Sequence, residues 1–563
     1  MGQQHPSDLT TVFEKDPNST ATYHETIAYY KSLAAIYPEI QMNEHGTTDA
    51  GYPLHEIIIS ENKIFEPAQI KANGQMILFV NNAIHPGEPC GVDASMMLAR
   101  DVLINKSKAL KDVVLVIIPF YNIGGGLNRG SYSRANQNGP VAYGFRGNFR
   151  NLDLNRDFIK CDSENAKTFT EIYSKWKPEV FIDNHTSNGA DYQYVLTMIS
   201  TQADKLEKPM SKYLSDTLEP MLYEGMKKKN WEMTPYVYAR TTPDDGIAGF
   251  LDLPRYSSGY AALHFAYSFI PEAHMLKPYE DRVKSIYAFM ELMLEVMQKE
   301  KFEIQKSRQE AIHLAKAKKE FDINWKLDRD QYEEIDFKGF EAKYKPSHIT
   351  SESRLYYDRE APYEKKIKNF KYYKAISSIQ KPVAYIIPKA YKNIVSLLKM
   401  NQVEVETLDE QKSFSVERYR IGDFKTTPVP YEGHYLHYDI AVEVFSEMAS
   451  FQKGDYLIKT DQDAVRYLIE TLEPHAPDSY FAWNYFDSIL QQKEHYSSYV
   501  FEDLAVEILE NDKELKQRFE AKKVDDEDFN KDAKAQLDFI YKNSPYYEPT
   551  VNLYPVVRLM GEK

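Results

Sequence analysis

The sequence of 563 residues contains only two cysteines, Cys90 and Cys161. Two cysteines build neither a disulfide framework nor a cysteine-based metal site, so we expect two buried free thiols, with a pairing between them left open. No apolar run approaches the ~18 residues that a membrane span needs. The net charge of −15 argues against a nucleic-acid backbone as a partner. These shortages exclude a disulfide scaffold and a membrane-spanning helix.

The remaining composition is that of a globular protein, with 43% apolar and 27% charged residues. A chain of this length exceeds what one hydrophobic core supports, so two or three domains are expected. Changes in patterning predict three regions: 20–300 with strand and helix patterns, 301–375 with a charged linker helix and a strand-rich connector, and 376–563 as an accessory α/β region.

The most informative segment runs from Met76 to Arg100. It begins as a short apolar strand, passes through a Pro/Gly loop that carries His85 and Glu88, and continues as a helix. Ligands of open α/β sheets bind where such strands end. The HxxE spacing lets an imidazole and a carboxylate reach one Zn²⁺, although a solvated loop histidine beside a glutamate is the plainer alternative. His85 is the only one of the 14 histidines with glutamate three positions later, and HExxH is absent.

Two further apolar strands end on polar candidates. The segment 179–185 delivers His185, with Asp183 on the same side of the strand, and the segment 265–272 ends on Glu272. A satisfied polar residue at a strand end is common, but several residues of these types at the same end of one sheet are less so. Their predicted convergence, rather than any one motif, points to a functional site.

A long irregular stretch, 121–151, lies between these motifs. It carries seven glycines and four arginines, and Arg129 and Arg134 are two of these arginines. Structureless loops of this length are usually functional, so we interpret it as a substrate-facing loop, with an ordinary surface loop as the alternative. The following segment, 151–156, is predicted to be extended, which places Asp153 and Asn155 on one face.

These residue types suggest a specific chemistry. Two histidines and a carboxylate leave a bound zinc one open position for water, the pattern of catalytic sites. A glutamate can accept the proton of that water, and a loop arginine can stabilise a developing oxyanion. An Asn-Arg pair can clamp a substrate carboxylate, and an aspartate can hold the far nitrogen of a ligating histidine. The candidate metal ligands are His85, Glu88 and His185, and the candidate proton acceptor is Glu272. The candidate clamp for a substrate carboxylate is Asn155 with Arg156, and the candidate partner of a ligating histidine is Asp153.

At this point the chain resembles the M14 family of zinc carboxypeptidases. The segments HPGE, LDLNRD, FIDNHTS and IPEAHMLKPY match that family's motifs in the family's order, over about Tyr23 to Lys299. The resemblance implies a mixed, mostly parallel eight-stranded sheet between helices, which makes the chain an α/β protein with a C-terminal α+β region. It also implies one Zn²⁺ per chain, removal of C-terminal amino acids from peptides with a free carboxylate, and a catalytic domain over 20–300. The implied roles are metal ligands His85, Glu88 and His185, general base Glu272, carboxylate-binding residues Asn155 and Arg156, and Asp153 supporting His85.

The chain departs from the family at three points. Thr186-Ser187 stands where pancreatic-type members have Ser-Tyr. The oxyanion arginine has no unique match, so Arg134 is the choice and Arg129 the reserve. The substrate-capping tyrosine is Tyr256 or Tyr260, and the preferred terminal side chain is left open.

No second active site is predicted in the C-terminal half. His434 and His437 stand three apart in a strand-like run, so they should point to opposite faces and share no metal. We expect this half to pack on the catalytic region, to shape its cleft or to mediate assembly.

Two other functions and two locations stay open. One alternative is a zinc amidase of the succinylglutamate desuccinylase/aspartoacylase type acting on N-acyl amino acids. The other is a non-catalytic peptide-binding protein on the same fold, which a Glu272 turned away from the histidines would favour. The first residues, Met1-Gly2-Gln3-Gln4, lack a signal-peptide pattern. We nevertheless expect export to the periplasm or the medium, since large peptidases with accessory domains are more often exported, and a cytoplasmic location is the alternative.

Overall fold

The structure is a computed structural model, and it describes residues 9–561. The strands of its first half are β1 Ile40–His45, β2 Leu54–Ile59, β3 Met76–Asn81, β4 Val113–Ile118, β5 Val180–Asp183, β6 His185–Ser187, β7 Leu196–Ser200, β8 Met233–Pro235, β9 Ile247–Ala248 and β10 Tyr267–His274. Those of its second half are β11 Glu320–Leu327, β12 Glu333–Pro346, β13 Ser353–Phe370, β14 Tyr373–Gln380, β15 Ala384–Ile387, β16 Glu406–Thr407, β17 Lys412–Thr426, β18 His437–Phe451, β19 Tyr456–Lys459 and β20 Val557–Leu559.

The helices of the first half frame the central sheet. They are α1 Val12–Lys15, α2 Tyr23–Ile36, α3 Pro67–Ala72, α4 Cys90–Ile104, α5 Ile123–Leu127, α6 Glu164–Trp176, α7 Lys208–Tyr213, α8 Glu219–Lys228, α9 Ser257–Leu263 and α10 Tyr279–Lys299. Those that follow are α11 Lys301–Ala317, α12 Lys392–Met400, α13 Val465–Leu472, α14 Ser498–Asn511, α15 Lys513–Asp525, α16 Glu527–Lys531 and α17 Ala533–Lys542. A capping box starts α2, in which the side chains of Thr22 and Glu25 each accept the other residue's backbone N–H.

The central sheet is mixed and mostly parallel. Its strands follow the order β1-β2-β4-β3-β5-β10-β7-β8, and β6 pairs with β10 just beyond the end of β5. The pairs β3–β4, β3–β5, β5–β10, β6–β10 and β7–β8 are parallel, and β1–β2, β2–β4 and β7–β10 are antiparallel. The fold class predicted from the sequence is therefore confirmed, but the sheet has nine strands rather than the eight that the resemblance implied, because the short β6 adds to β10.

Both faces of this sheet are covered, which explains the unbroken apolar runs of its central strands. Along β3, Met76, Leu78 and Val80 enter one core with α4 and α10, whereas Ile77 and Phe79 enter a second core with α6. All residues of β2, β3 and β4 are buried. Polar side chains therefore gather where the strands end.

The second core is shared with the C-terminal region. Tyr385 of β15, Ile394 of α12 and Trp483 belong to the same buried cluster as Phe79 and Tyr173. A sheet of order β16-β19-β15-β20-β17-β18 forms the body of this region, and α14 to α17 close on a separate small core. The C-terminal region thus packs directly on the half of the chain that holds the predicted site. The predicted domain boundaries stay a prediction.

Two connecting elements also contact the first half. The long hairpin β12–β13 is joined to β9, since Asn369 and Phe370 pair with Ile247 and Ala248. The charged helix predicted at the start of 301–375 is α11, and one face of it, which includes Ile304 and Ala311, is buried. Its charged residues kept this face from standing out in the sequence.

The described residues also bear on two predictions about chemistry and location. Cys90 and Cys161 are both buried and free, as expected. Between residues 9 and 561, no helix is long and apolar enough to cross a membrane. Met1-Gly2-Gln3-Gln4, the residues that were considered for a signal peptide, lie outside the described residues. Export stays a prediction.

Candidate active site

The predicted polar residues meet at one end of the central sheet. His85 and Glu88 lie in the loop after β3, His185 begins β6, and Glu272 lies in β10. Glu272 and His185 face each other as partners in the β6–β10 pair, and β5 separates β3 from β10. The arrangement follows from parallel strands, whose carboxyl ends share one edge of the sheet.

A tight turn brings Glu88 back to His85. The Glu88 N–H donates to the His85 carbonyl at 2.8 Å. A Cβ atom at Gly87 would lie 2.7 Å from Cδ of Arg134, so a larger residue in this turn would displace the arginine side chain. The turn presents both side chains to the same space, in which His185 also lies.

His85, Glu88 and His185 form a buried cluster suited to a metal. One ligand atom of each lies within 4.8 Å of the others. Glu88 Oε1 is 3.3 Å from His85 Nδ1, and Glu88 Oε2 is 3.1 Å from His185 Nδ1. His85 Nδ1 is fully buried and has no hydrogen-bond partner among the described residues. Leaving such an atom unpaired is costly, and a metal ion in the cluster would satisfy it.

Two carboxylates fix the orientation of the histidine rings. Nε2 of His85 lies 2.9 Å from Asp153 Oδ1, and Nε2 of His185 lies 2.9 Å from Asp183 Oδ2. An imidazole whose Nε2–H donates a hydrogen bond to a carboxylate keeps Nδ1 free as a metal ligand. Sequence reasoning assigned this role to Asp153 and placed Asp183 on the same side as His185. Asp183 itself is held by Asn81, whose Nδ2 donates to Oδ1 at 3.0 Å.

The electrostatics of the cluster favour charged groups. Burial alone would raise the pKa of Glu88, but the charges of His85 and Arg134 outweigh it and hold that pKa well below its usual range. Burial alone would lower the pKa of His185. The Asp183 carboxylate outweighs burial and raises that pKa well above its usual value. In this cluster the Glu88 carboxylate therefore lies between two imidazoles, each of which is hydrogen-bonded to a further carboxylate.

Glu272 lies in the same cleft as the histidines. The cleft has a volume of about 500 Å³, and Glu272, His85 and His185 all line it. Burial raises the pKa of Glu272 to about 7, and the nearby Glu88 carboxylate adds to this shift. A carboxyl group with such a pKa can both accept and release a proton near neutral pH.

Asn155 and Arg156 also line the cleft, but on a backbone that differs from the prediction. The expected extended segment was wrong, because Leu154–Arg156 form a short 3₁₀ turn. The Asp153 side chain accepts the Asn155 N–H at 2.9 Å and starts this turn. Asn155 Oδ1 accepts the Ser257 N–H at 3.1 Å.

The long loop lies at the cleft, as its interpretation required. Arg134 lines the cleft, with Nη1 2.8 Å from Glu88 Oε1. Arg129 instead donates to the Thr20 carbonyl at 2.9 Å and does not line it. Sequence reasoning missed Arg146, which lines the cleft and lies 3.4 Å from Glu88 and 2.9 Å from Asp153. Its one signal was membership of the arginine-rich loop, which did not distinguish it.

The two tyrosine candidates separate. Tyr256 lines the cleft, and its ring lies 4.5 Å from the Arg156 guanidinium carbon. The assignment of Tyr260 to substrate binding was wrong, since its side chain is fully buried and donates to Asn401 Oδ1 at 2.6 Å. Tyr256 precedes α9 as its N-cap residue in an extended conformation, whereas Tyr260 lies within the helix, so the two side chains point in different directions.

Apolar side chains that sequence reasoning did not identify complete the cleft. They are Ile199, Tyr236, Phe250, Ile270 and Met275. Ile270 stands two residues before Glu272 on β10 and therefore shares its face of the strand, which is the signal that could have found it.

The Asp183 carboxylate, which holds the His185 ring, gives a first testable prediction. We expect Asp183→Asn to weaken metal binding by the cluster by about 10- to 100-fold, because the imidazole loses the anion that fixes its tautomer and orientation. Competition with a chelating dye measures the affinity. Asp93→Asn is the matched control, since Asp93 is equally buried but bonded to Tyr279 and Ala21, away from the cleft. Equal affinities in the wild type and Asp183→Asn would contradict this role.

Comparison with known proteins adds distant relatives. No protein-family model matches the chain. A curated protein named Carboxypeptidase 2, from Trichophyton equinum, is 25% identical over 171 residues, which make up 30% of this chain and 25% of that protein. The chain thus aligns with about a quarter of that relative's length.

Three solved structures that match carry related names. A metallo-carboxypeptidase from Burkholderia cenocepacia is 15% identical, with a TM-score of 0.37, over 50% of this chain and 70% of that one. A metallo-carboxypeptidase from Pseudomonas aeruginosa, in complex with (2-guanidinoethylmercapto)succinic acid, is 14% identical, with a TM-score of 0.37, over 49% and 68%. Carboxypeptidase A from Helicoverpa armigera is 14% identical, with a TM-score of 0.36, over 52% and 75%.

The names of these proteins agree with the resemblance to metallocarboxypeptidases that the sequence motifs suggest. All of these matches are distant and partial.

Proposed function

We propose that the protein is a zinc metallocarboxypeptidase, which removes C-terminal amino acids from peptides with a free carboxylate. One observation carries the proposal: a single cleft brings together the His85–Glu88–His185 cluster, the carboxyl group of Glu272 and the cationic Arg156. A peptidase that acts at the end of a chain needs these three parts within reach of one terminal residue.

The donor set suits zinc. Two imidazole nitrogens and one carboxylate are ligands that zinc prefers, and three protein ligands leave the open position of a catalytic site. His85, Glu88 and His185 would hold the ion, with Asp153 and Asp183 fixing the imidazoles. When bound, zinc would supply an activated water molecule and polarise the scissile carbonyl.

Glu272 is the proposed general base. Its raised pKa lets the carboxylate take the proton of the attacking water and pass it to the leaving amine. Its side chain lies in the cleft with the histidines rather than turned away from them, so the observation that would favour a non-catalytic binding protein is not met.

Cationic side chains are proposed to bind the negative charges of the substrate. Arg156 and Asn155 would hold the terminal carboxylate, with the guanidinium forming paired hydrogen bonds. Arg134, with Arg146 beside it, would stabilise the negative charge that develops on the scissile carbonyl oxygen. Both arginines contact Glu88, which keeps their positive charge close to the metal cluster.

The apolar part of the cleft supports a preference for the terminal residue. Ile199, Ile270, Tyr236 and Phe250 offer a side chain mainly hydrocarbon and aromatic surface. Burial of apolar surface rewards large hydrophobic groups and does not compensate the desolvation of a charged one. We therefore propose that apolar and aromatic C-terminal residues are released faster than charged ones.

A peptide panel tests the proposed function. We expect the zinc-loaded protein to release amino acids from peptides that end in phenylalanine or leucine, and not from the same peptides with amidated C-termini. Chromatography of free amino acids measures the release, and a chelator-treated sample is the control. Absence of release from every peptide would contradict the proposal, and cleavage of N-acyl amino acids instead would favour the amidase.

A further inference from the structure

A tight turn of the C-terminal region reaches the proposed carboxylate-binding residues. This turn, 431–434, is closed by two backbone hydrogen bonds, Tyr431 N–H to the His434 carbonyl at 2.7 Å and the reverse at 3.1 Å. Its two central residues, Glu432 and Gly433, both have positive φ, 50° and 84°. Glycine adopts such a conformation readily, but a glutamate does so at a cost, which the contacts of its side chain offset.

The turn contacts the backbone and side chains of the 153–156 segment. Arg156 Nε donates to the Tyr431 hydroxyl at 3.0 Å, across 275 positions of sequence. The Asp153 N–H donates to Glu432 Oε2 at 2.7 Å. Asp153 is the residue that holds His85, and Arg156 is the proposed carboxylate ligand. Two neighbouring residues of the turn therefore each contact a residue proposed to act in the cleft.

The turn is itself anchored to both halves of the protein. His434 Nε2 lies 2.7 Å from Asp162 Oδ2 in the first half. The ring of Tyr431 stacks on Trp483 of the C-terminal region, with centroids 6.1 Å apart and planes 19° from parallel. A turn held at both sides can impose a position on Arg156 rather than follow it.

The guanidinium of Arg156 is held in place by contacts of two of its nitrogens and one of its faces. Nε is used by Tyr431, Nη1 donates to the Asn155 carbonyl at 2.7 Å, and one face lies on the Tyr256 ring. The nearest carboxylate, Asp153, is 3.8 Å away. A planar fork that is fixed at Nε and on one face loses its freedom to rotate, which lowers the entropic cost of binding a carboxylate.

We propose that the C-terminal region completes the carboxylate-binding part of the cleft, with Tyr431 and Glu432 as positioning residues for Arg156 and Asp153. This inference rests on the proposed function, because it assigns Arg156 a carboxylate ligand. It gives the C-terminal half a role in substrate binding in addition to its packing on the sheet.

Tyr431→Phe tests the inference, because it removes one hydroxyl and keeps the ring on Trp483. We expect KM for peptides with a free C-terminus to rise about tenfold, the effect of losing a hydrogen bond to a charged group, while kcat changes less than about twofold. Zinc content and Tm should stay at wild-type values. Tyr435→Phe is the matched control, since Tyr435 is exposed and four residues away. Unchanged KM in Tyr431→Phe would overturn the inference, as would a fall in kcat and Tm without a rise in KM.

A binding measurement separates this inference from the proposed function. Zinc-loaded Glu272→Gln protein, with and without Tyr431→Phe, is titrated calorimetrically with benzoyl-Gly-Phe and with its C-terminal amide. Loss of the hydroxyl should weaken binding of the free acid by about tenfold and leave binding of the amide unchanged. Equal effects on both ligands would overturn the inference. This result does not depend on turnover, so an inactive wild type would contradict only the proposed function.

Discussion

Replacing Glu272 by glutamine is expected to lower kcat by about 10²- to 10⁴-fold, the usual contribution of a positioned general base. The amide has the size of the carboxyl group but cannot accept a proton. Burial raises the pKa of Glu272 to about 7, so the native group is poised for proton transfer near neutral pH, and the variant loses this property outright. Steady-state hydrolysis of a peptide ending in phenylalanine measures the loss.

The control for this variant is a partly buried carboxyl group outside the cleft. Burial also raises the pKa of Glu219, which bonds to Ser200 and does not line the cleft, so Glu219→Gln should keep wild-type kcat within about twofold. Zinc content should stay the same in both variants, because Glu272 is not part of the ligand cluster. Retention of more than about a tenth of kcat in Glu272→Gln would exclude Glu272 as the base.

The strand ends that form the site could be predicted because their signals are local. An apolar run followed by polar residues marks a strand end, and parallel pairing brings such ends together whatever their distance in sequence. His85, Glu88, His185 and Glu272 meet for this reason. The HxxE spacing is also local, since a single turn sets the positions of both side chains.

The residues that were misplaced depend on contacts that the local pattern does not encode. Tyr256 and Tyr260 have the same chemistry, and what separates them is that Tyr256 precedes α9 in an extended conformation while Tyr260 lies within the helix and bonds to Asn401. The 3₁₀ turn at Asn155 arises from a side-chain to backbone bond of Asp153, which competes with the extended form that alternation suggested. Arg146 is distinguished from other loop arginines only by its position in the folded loop.

The C-terminal half illustrates the same limit at longer range. An accessory α/β region could be predicted for it in outline, because elements such as β15 and α12 each carry their own apolar pattern. Its relation to the cleft could not, since the bond between Tyr431 and Arg156 spans 275 positions. The strand β9, paired with β13, further ties the segment that carries Phe250 to the connecting hairpin. Contacts rather than motifs therefore indicate the role of the C-terminal half.

Loss of a metal ligand is the second large expected effect. Glu88→Gln should lower zinc affinity by more than about 10²-fold, beyond what the loss of a buttressing carboxylate costs, because a neutral amide replaces the only anionic ligand of the cluster. The glutamine keeps the size of the side chain and an oxygen to accept the Thr186 N–H, which Glu88 Oε2 binds at 2.8 Å. The fold should therefore survive the change.

Metal content distinguishes a ligand from a structural carboxylate. Mass spectrometry of dialysed protein should find about one zinc per chain in the wild type and well under a tenth of that in Glu88→Gln, with peptidase activity falling in proportion. Glu56→Gln is the matched control: Glu56 is also buried and lies 2.9 Å from a histidine, His45, but it is outside the cluster. If Glu88→Gln retained a full zinc, the ion would have to be held by other residues. If both variants lost zinc equally, the loss would reflect general destabilisation, because removing any buried charge near a histidine would then suffice.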